Sequence, residues 1–183
     1  LCSGYLHGLQ PGARIQAFIR PNPAFAIDAP RAPMMLIGAG TGVAPLAGFI
    51  RDNTRGAPMH LYYGVRNSAD HAFKPVLQDL AAAHPNFKLH VVYSQPGPDD
   101  VLARDHQHAG HIDVDLLRRS LPHGRHQFYV CGSPPMMAIA SGRPSVPALT
   151  TELGVPPTAI QTGRGSCTGR GQSGPSRTGE SRS

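Results

Sequence analysis

The run Gly38-Ala39-Gly40-Thr41-Gly42-Val43-Ala44-Pro45 constrains the fold more than any other stretch of this chain, because of what flanks it. It follows Met34-Met35-Leu36-Ile37, a continuous apolar run of the kind found in strands covered on both faces, and it leads into a segment that reads as a helix from about Ala44 to Asp52. Glycines between a strand and a helix let backbone N–H groups approach an anion, and the helix N-terminus adds unpaired donors and a favourable dipole. That geometry suits the pyrophosphate of a dinucleotide. Val43 stands where a G-x-G-x-x-G fingerprint needs its third glycine, and no P-loop lysine follows. For the run alone, a plain tight strand-to-helix turn is the competing reading.

The rest of the chain repeats the strand-then-helix alternation. Strands are expected at His60–Val65, Leu89–Tyr93 and Gln127–Cys131. Helices are expected from about Asp70 to Ala83, with Phe73, Val76, Leu77 and Leu80 at helical spacing, and around Val114 to Ser120. The order predicts an α/β fold with a doubly wound, mostly parallel sheet. A last helix is expected from about Pro135, broken at Gly142-Arg143-Pro144 because proline in a helix interior removes a donor and clashes with the preceding turn. The first thirty residues differ in kind. Ile15-Gln16-Ala17-Phe18-Ile19 alternates like a half-buried strand between Pro11-Gly12 and Pro21-Asn22-Pro23, as the remnant of a preceding β domain would. From Gly163 to Ser183 there is no Val, Ile, Leu, Met or aromatic residue, so this tail is expected to be disordered. The expected organisation is therefore 1–30, 31–162 and 163–183.

A length of 183 residues suits one domain of ordinary size. The formal net charge of +6 invites a nucleic-acid reading, but half of it lies in the tail, where four arginines face one glutamate, and the body is nearly ordinary. The tail also lacks aromatic side chains for base stacking, so RNA binding is a minor alternative. No run approaches the ~18 apolar residues of a membrane-spanning helix. Cys2, Cys131 and Cys167 are too widely spaced for a disulfide framework or a zinc ribbon, which points to a reducing compartment such as the cytoplasm. Asp105, His106, His108 and His111 crowd one loop, where a solvated surface is favoured over a metal site. The chain opens Leu1-Cys2-Ser3-Gly4 without methionine, and a cut end or fragment boundary is expected there.

Four blocks in one register resemble the nucleotide-binding half of the ferredoxin–NADP reductase superfamily. Leu36 to Ile50 is similar to its first strand, G-x-G-T-G-x-A-P turn and helix; Leu61-Tyr62-Tyr63-Gly64-Val65-Arg66 is similar to its L-x-Y-G-x-R strand end. Val92-Tyr93-Ser94 resembles the strand end that meets the adenosine ribose, and Phe128 to Met137 resembles the Y-x-C-G-x-x-x-M block. Upstream, Cys2-Ser3-Gly4-Tyr5-Leu6 with Leu9-Gln10-Pro11-Gly12 is similar to the end of the flavin domain in diflavin reductases and sulfite reductase flavoproteins. The resemblance spans roughly 160 residues.

Position by position, the resemblance implies that Gly38, Gly40, Thr41 and Gly42 cradle the NAD(P)H pyrophosphate, with Arg66 as a charged partner and Ser94 at the ribose or its 2′-phosphate. Cys131 would lie beside the nicotinamide as the catalytic position, with Gly132, Ser133 and Met137 completing the cofactor-binding set, and Ser3 would touch the FAD pyrophosphate. On local sequence alone, Cys131 reads as a small buried thiol, Met136 and Met137 as core, Arg66 equally as a solvated charge and Ser94 equally as a turn residue. Gln95 stands where diflavin reductases usually have arginine, and the segment that holds most of FAD would precede Leu1. The expected function is the NAD(P)H-binding portion of an FAD-dependent oxidoreductase, with a flavin domain or electron-acceptor protein as partner. The alternative is an inactive fragment that binds nucleotide or a protein partner.

Overall fold

The computed structural model describes residues 2–18, 22–23, 25–27, 29, 31–53, 55–133, 136, 153 and 160–164. Contacts divide the chain into two units, one of which runs from Pro21 to Gly165; the other includes Leu1–Arg20. In the latter, Cys2–His7 forms a short helix, α1. Ile15 to Phe18 form no strand, against expectation, and Ile15 and Phe18 are exposed. Alternation alone cannot hold a strand: its ladder needs a neighbour, and among the described residues none pairs with it.

The larger unit is built on a six-stranded sheet. Its strands are β1 (Met34–Ala39), β2 (Met59–Val65), β3 (Phe87–Tyr93), β4 (His108–Ala109), β5 (Gln127–Gly132) and β6 (Ile160–Arg164), in the spatial order β4-β3-β2-β1-β5-β6. Every pairing is parallel. Gly163 and Arg164, assigned by composition to the tail, extend β6 opposite Cys131 and Gly132, because a backbone ladder forms without help from apolar side chains. Residues 165–183, where the tail is expected, and 137–150, where the broken helix is expected, lie outside the described residues, apart from a helical Met136 just before the latter.

Among the described residues, three helices cover the sheet: α2 (Val43–Arg51), α3 (Lys74–Ala83) and α4 (Val114–Ser120). One core joins Leu46, Ile50 and Leu77 of α2 and α3 to Met34, Leu36, Leu61, Tyr63 and Tyr129; the other joins Leu116 and Leu117 of α4 to Met35, Ile37, Tyr62 and Val130. Successive strand residues thus go to opposite cores, and β1, buried from Met34 to Gly38, has no polar face. Phe25 and Ile27 also pack on the first core, so part of the segment read as preceding-domain remnant belongs with the sheet. The second helix begins later than its periodicity suggested. Pro75, with its fixed φ, sits in the first turn, Phe73 precedes it at φ 59° and 42% exposed, and Ser68–Asp70 is a separate 3-10 turn capped by the Asn67 side chain.

This packing buries His71 and half-buries His90. His71 faces Tyr63, Tyr93, Lys74 and Asp105, and His90 stacks on Tyr62 and lies beside His60, His108 and Lys88; burial drives both imidazole pKa values down to about 4. Between pH ~6.5 and ~4 the unfolded chain therefore binds more protons than the folded one, so stability rises with pH across that window and is lost on acidification. Urea unfolding at pH 7.5, 6 and 5 should show a midpoint that falls with pH, and a midpoint constant over that range would contradict the burial of these rings.

Candidate dinucleotide site

Because the strands are parallel, Ala39, Val65, Tyr93 and Gly132 all end on one edge of the sheet. β1 is where the winding reverses, with β2 on one side and β5 on the other. In doubly wound sheets, ligands occupy the crevice outside the carboxyl ends of the strands at such a point.

The glycine-rich turn is built at that point. Gly40, at φ 52°, turns the chain in a conformation that side chains resist, and a Cβ there would meet nothing within 4 Å. Gly40–Gly42 then forms one 3-10 turn that runs into α2, whose N-cap is Gly42, a residue with no side chain to bond the first-turn N–H groups. Gly42 answers to a different constraint. A Cβ on it would lie 2.1 Å from the carbonyl oxygen of Cys131, 2.6 Å from the carbonyl carbon and 3.0 Å from the Gly132 nitrogen. Only a glycine lets the turn rest directly on the tip of β5, where Cys131 is already in register with Gly38.

Beside the turn opens a cleft of about 410 Å³, with Gly40, Thr41, Arg66, Ser94, His111 and Met136 in its walls. Four of the residues singled out in the sequence, Gly40, Thr41, Arg66 and Ser94, thus meet at one cavity. Backbone bonds hold two of them in place: Ser94 N–H donates to Val65 O at 3.0 Å, and Gln95 N–H donates to Arg66 O at 2.8 Å. Gly38, Gly42, Cys131 and Gly132 do not line the cleft and instead make the close packing at the β1–β5 side, where Gly132 meets Ala39 and the Met136 sulfur. Cys131 is 3% exposed, on the core shared with α2 and α3, and burial pushes its thiol pKa up. Ser133 is exposed just beyond β5; Met137 and the Ser3 side chain lie outside the described residues, and Ser3 itself is in α1 of the other unit.

Two wall residues, Asp70 and His111, were not assigned to a nucleotide site by the sequence. The Arg66 Nε–H donates to Asp70, which raises the guanidinium pKa, and both residues line the cleft. Asp70 was read as the start of a helix; the Asn67-Ser68 turn that places it four residues beyond Arg66 was the available signal. Most of the histidine-rich loop is exposed, His111 included, as expected of a solvated segment, and His106 is the exception. His106 is 3% exposed and stacks on Tyr93 at 4.7 Å, while Asp105 takes Lys74 and Arg104 as ionic partners, with Val101 N–H and Arg104 holding its carboxyl well below the usual range. Among the described residues, no group of three or more His, Cys, Asp or Glu could hold a metal ion, and no helix is long and apolar enough to cross a membrane.

The oxidoreductase NAD-binding domain family matches residues 36–142, from β1 through the turn and past β5. The chain belongs to that family. The flavohemoprotein of Deinococcus radiodurans is 32% identical over 136 residues, covering 72% of this chain and 34% of that protein. A cytochrome P450 reductase of Amycolatopsis superposes with a TM-score of 0.60 at 27% identity, over 85% of this chain and 45% of that one. The FAD/NAD-binding domain of a Vibrio cholerae nitric oxide dioxygenase shares the fold, with a TM-score of 0.60 at 20% identity, over 90% of this chain and 64% of that one. This NAD-binding domain spans about a third of the length of the curated relatives it matches.

The turn's packing distinguishes its two glycines. Gly42→Ala must move backbone and should cost about 3 kcal/mol or more, whereas Gly40→Ala meets open space and should cost only the ~1–2 kcal/mol of a left-handed alanine. Urea denaturation of the two variants checks the order; equal losses would contradict the contact between Gly42 and Cys131.

Proposed function

We propose that this domain binds NAD(P)H at the carboxyl ends of the strands, in the cleft that runs from the Gly40–Gly42 turn to Ser94, and presents its nicotinamide to FAD held elsewhere in a longer oxidoreductase. The observation that carries the reading is the seat of Gly42 on the Cys131 carbonyl, at the point where the sheet order reverses and next to the cleft walled by Gly40, Thr41, Arg66 and Ser94. The turn fits an anion: Gly40 leaves open space at its Cα, and the helix behind it starts without a side-chain cap.

In this reading Gly40, Thr41 and Gly42 hold the pyrophosphate through backbone N–H groups, Gly38 lets the turn close, and Arg66 adds a charge-assisted bond. Ser94 receives the ribose. Gly132, Ser133 and Met137 border the nicotinamide, and Cys131, buried and with a neutral thiol, is a positioning residue that sets the height of the floor on which the ring rests. FAD, when bound, supplies the hydride acceptor. Ser3 would contribute to the FAD pyrophosphate site, most of which belongs to residues outside this sequence. The partner is accordingly a flavin domain or an electron-acceptor protein, and the reducing interior of the cell is the proposed location.

Binding is separable from turnover in this chain. ADP-ribose or NADH at a hundred times its Kd should stabilise the domain by about 2.7 kcal/mol, read as a rise in Tm, and Arg66→Ala should weaken binding about tenfold. An unchanged Tm with NADH, NADPH and ADP-ribose, each at millimolar concentration, would overturn the proposal.

A further inference from the structure

Resting on that reading, we infer that the ribose end of the cleft is built for a dinucleotide without a 2′-phosphate, and that Asp70 is the residue that selects NADH over NADPH. Pyrophosphate at Gly40–Gly42 leaves the adenosine half to the part of the cleft walled by Val65, Arg66, Asp70 and Ser94. A 2′-phosphate carries up to two further negative charges and needs a cation of its own. Among the described residues in the cleft walls, Arg66 is the single Lys or Arg, and its Nε–H is already given to Asp70. Arg104, the next arginine along the chain from this loop region, is held by the Asp105 carboxylate and the Asp99 carbonyl.

A second carboxylate stands close by. Asp100 accepts from Gly97 N–H at 2.8 Å and from Ser68 N–H at 3.3 Å, tying the loop after β3 to the loop after β2 around Ser94, and the hydrogen bonds from Ser68 and Gly97 keep it ionised by lowering its pKa. The loops that would surround a 2′-phosphate thus hold two carboxylates, and Gln95, next to Ser94, brings no charge. A free 2′-hydroxyl suits this setting, since a carboxylate accepts its hydrogen bond; a phosphate meets like charge that is offset only by Arg66, whose charge is already shared with Asp70. Replacing Asp70 by asparagine removes one repelling charge and releases Arg66, so both changes favour the phosphorylated ligand.

The test is calorimetric titration of the full chain and of Asp70→Asn with NADH and NADPH at low and high salt. The expected result is at least about tenfold tighter binding of NADH by the unaltered chain, a preference that shrinks as salt screens the repulsion, and a comparable relative gain for NADPH in Asp70→Asn. Should the variant fail to fold, the salt dependence of the NADH preference in the unaltered chain decides. NADPH binding as tightly as NADH overturns this inference and leaves the dinucleotide site standing, whereas binding of neither overturns both.

Discussion

The backbone of Gly42 lies against the carbonyl of Cys131 at a separation that admits hydrogen and nothing larger. Through that contact the turn after β1 and the tip of β5 become one surface, although 89 positions separate them in the chain. The rest of the cleft is arranged from this seat: β1 and β5 are in register at Gly38 and Cys131, β2 delivers Arg66, and β3 delivers Ser94. A turn displaced outward by a methyl group would separate the N–H groups of the helix start from the edge where β5 ends. The sheet alone, with its two apolar cores, would survive such a shift better than the site would.

Electrostatics act locally on this frame. The net positive charge of the whole sequence has little to do with the cleft, where, among the described residues, the one arginine in the walls is paired with an aspartate and the neighbouring loop is held by another. Charge at the site is therefore set by short-range pairing within and between the loops after β2 and β3. His71, buried beside Tyr63 and Tyr93 and neutral near pH 7, has a different consequence: it couples the integrity of this edge to acidity.

Much of this was legible in the residues. The apolar runs fixed four of the strands to within about two positions, because fully buried parallel strands leave a continuous signature. The glycines between Ile37 and Ala44 announced a close backbone approach, and Gly42 makes one against the Cys131 carbonyl. What sequence periodicity could not show were the effects that depend on neighbours in space. Phe73 fits a helical stripe yet lies outside its helix, since Pro75 determines the start; Ile15 to Phe18 alternate like a strand without one beside them; Gly163 and Arg164 join β6 through backbone bonds that composition cannot report. His106 reads as loop and is buried against Tyr93. Likewise the pairing of Arg66 with Asp70 follows from a 3-10 turn, whereas Cys131 is the small buried thiol that its local sequence suggests.

The account depends on the turn and the β5 tip acting as one binding surface, which backbone amide chemical shifts can read directly. On titrating the isotope-labelled chain with ADP-ribose and then with NADH, the amides of Gly40 to Val43 and of Cys131 to Ser133 should move along the same saturation curve with NADH. Shifts confined to one of the two segments, or a separate affinity for each, would contradict it.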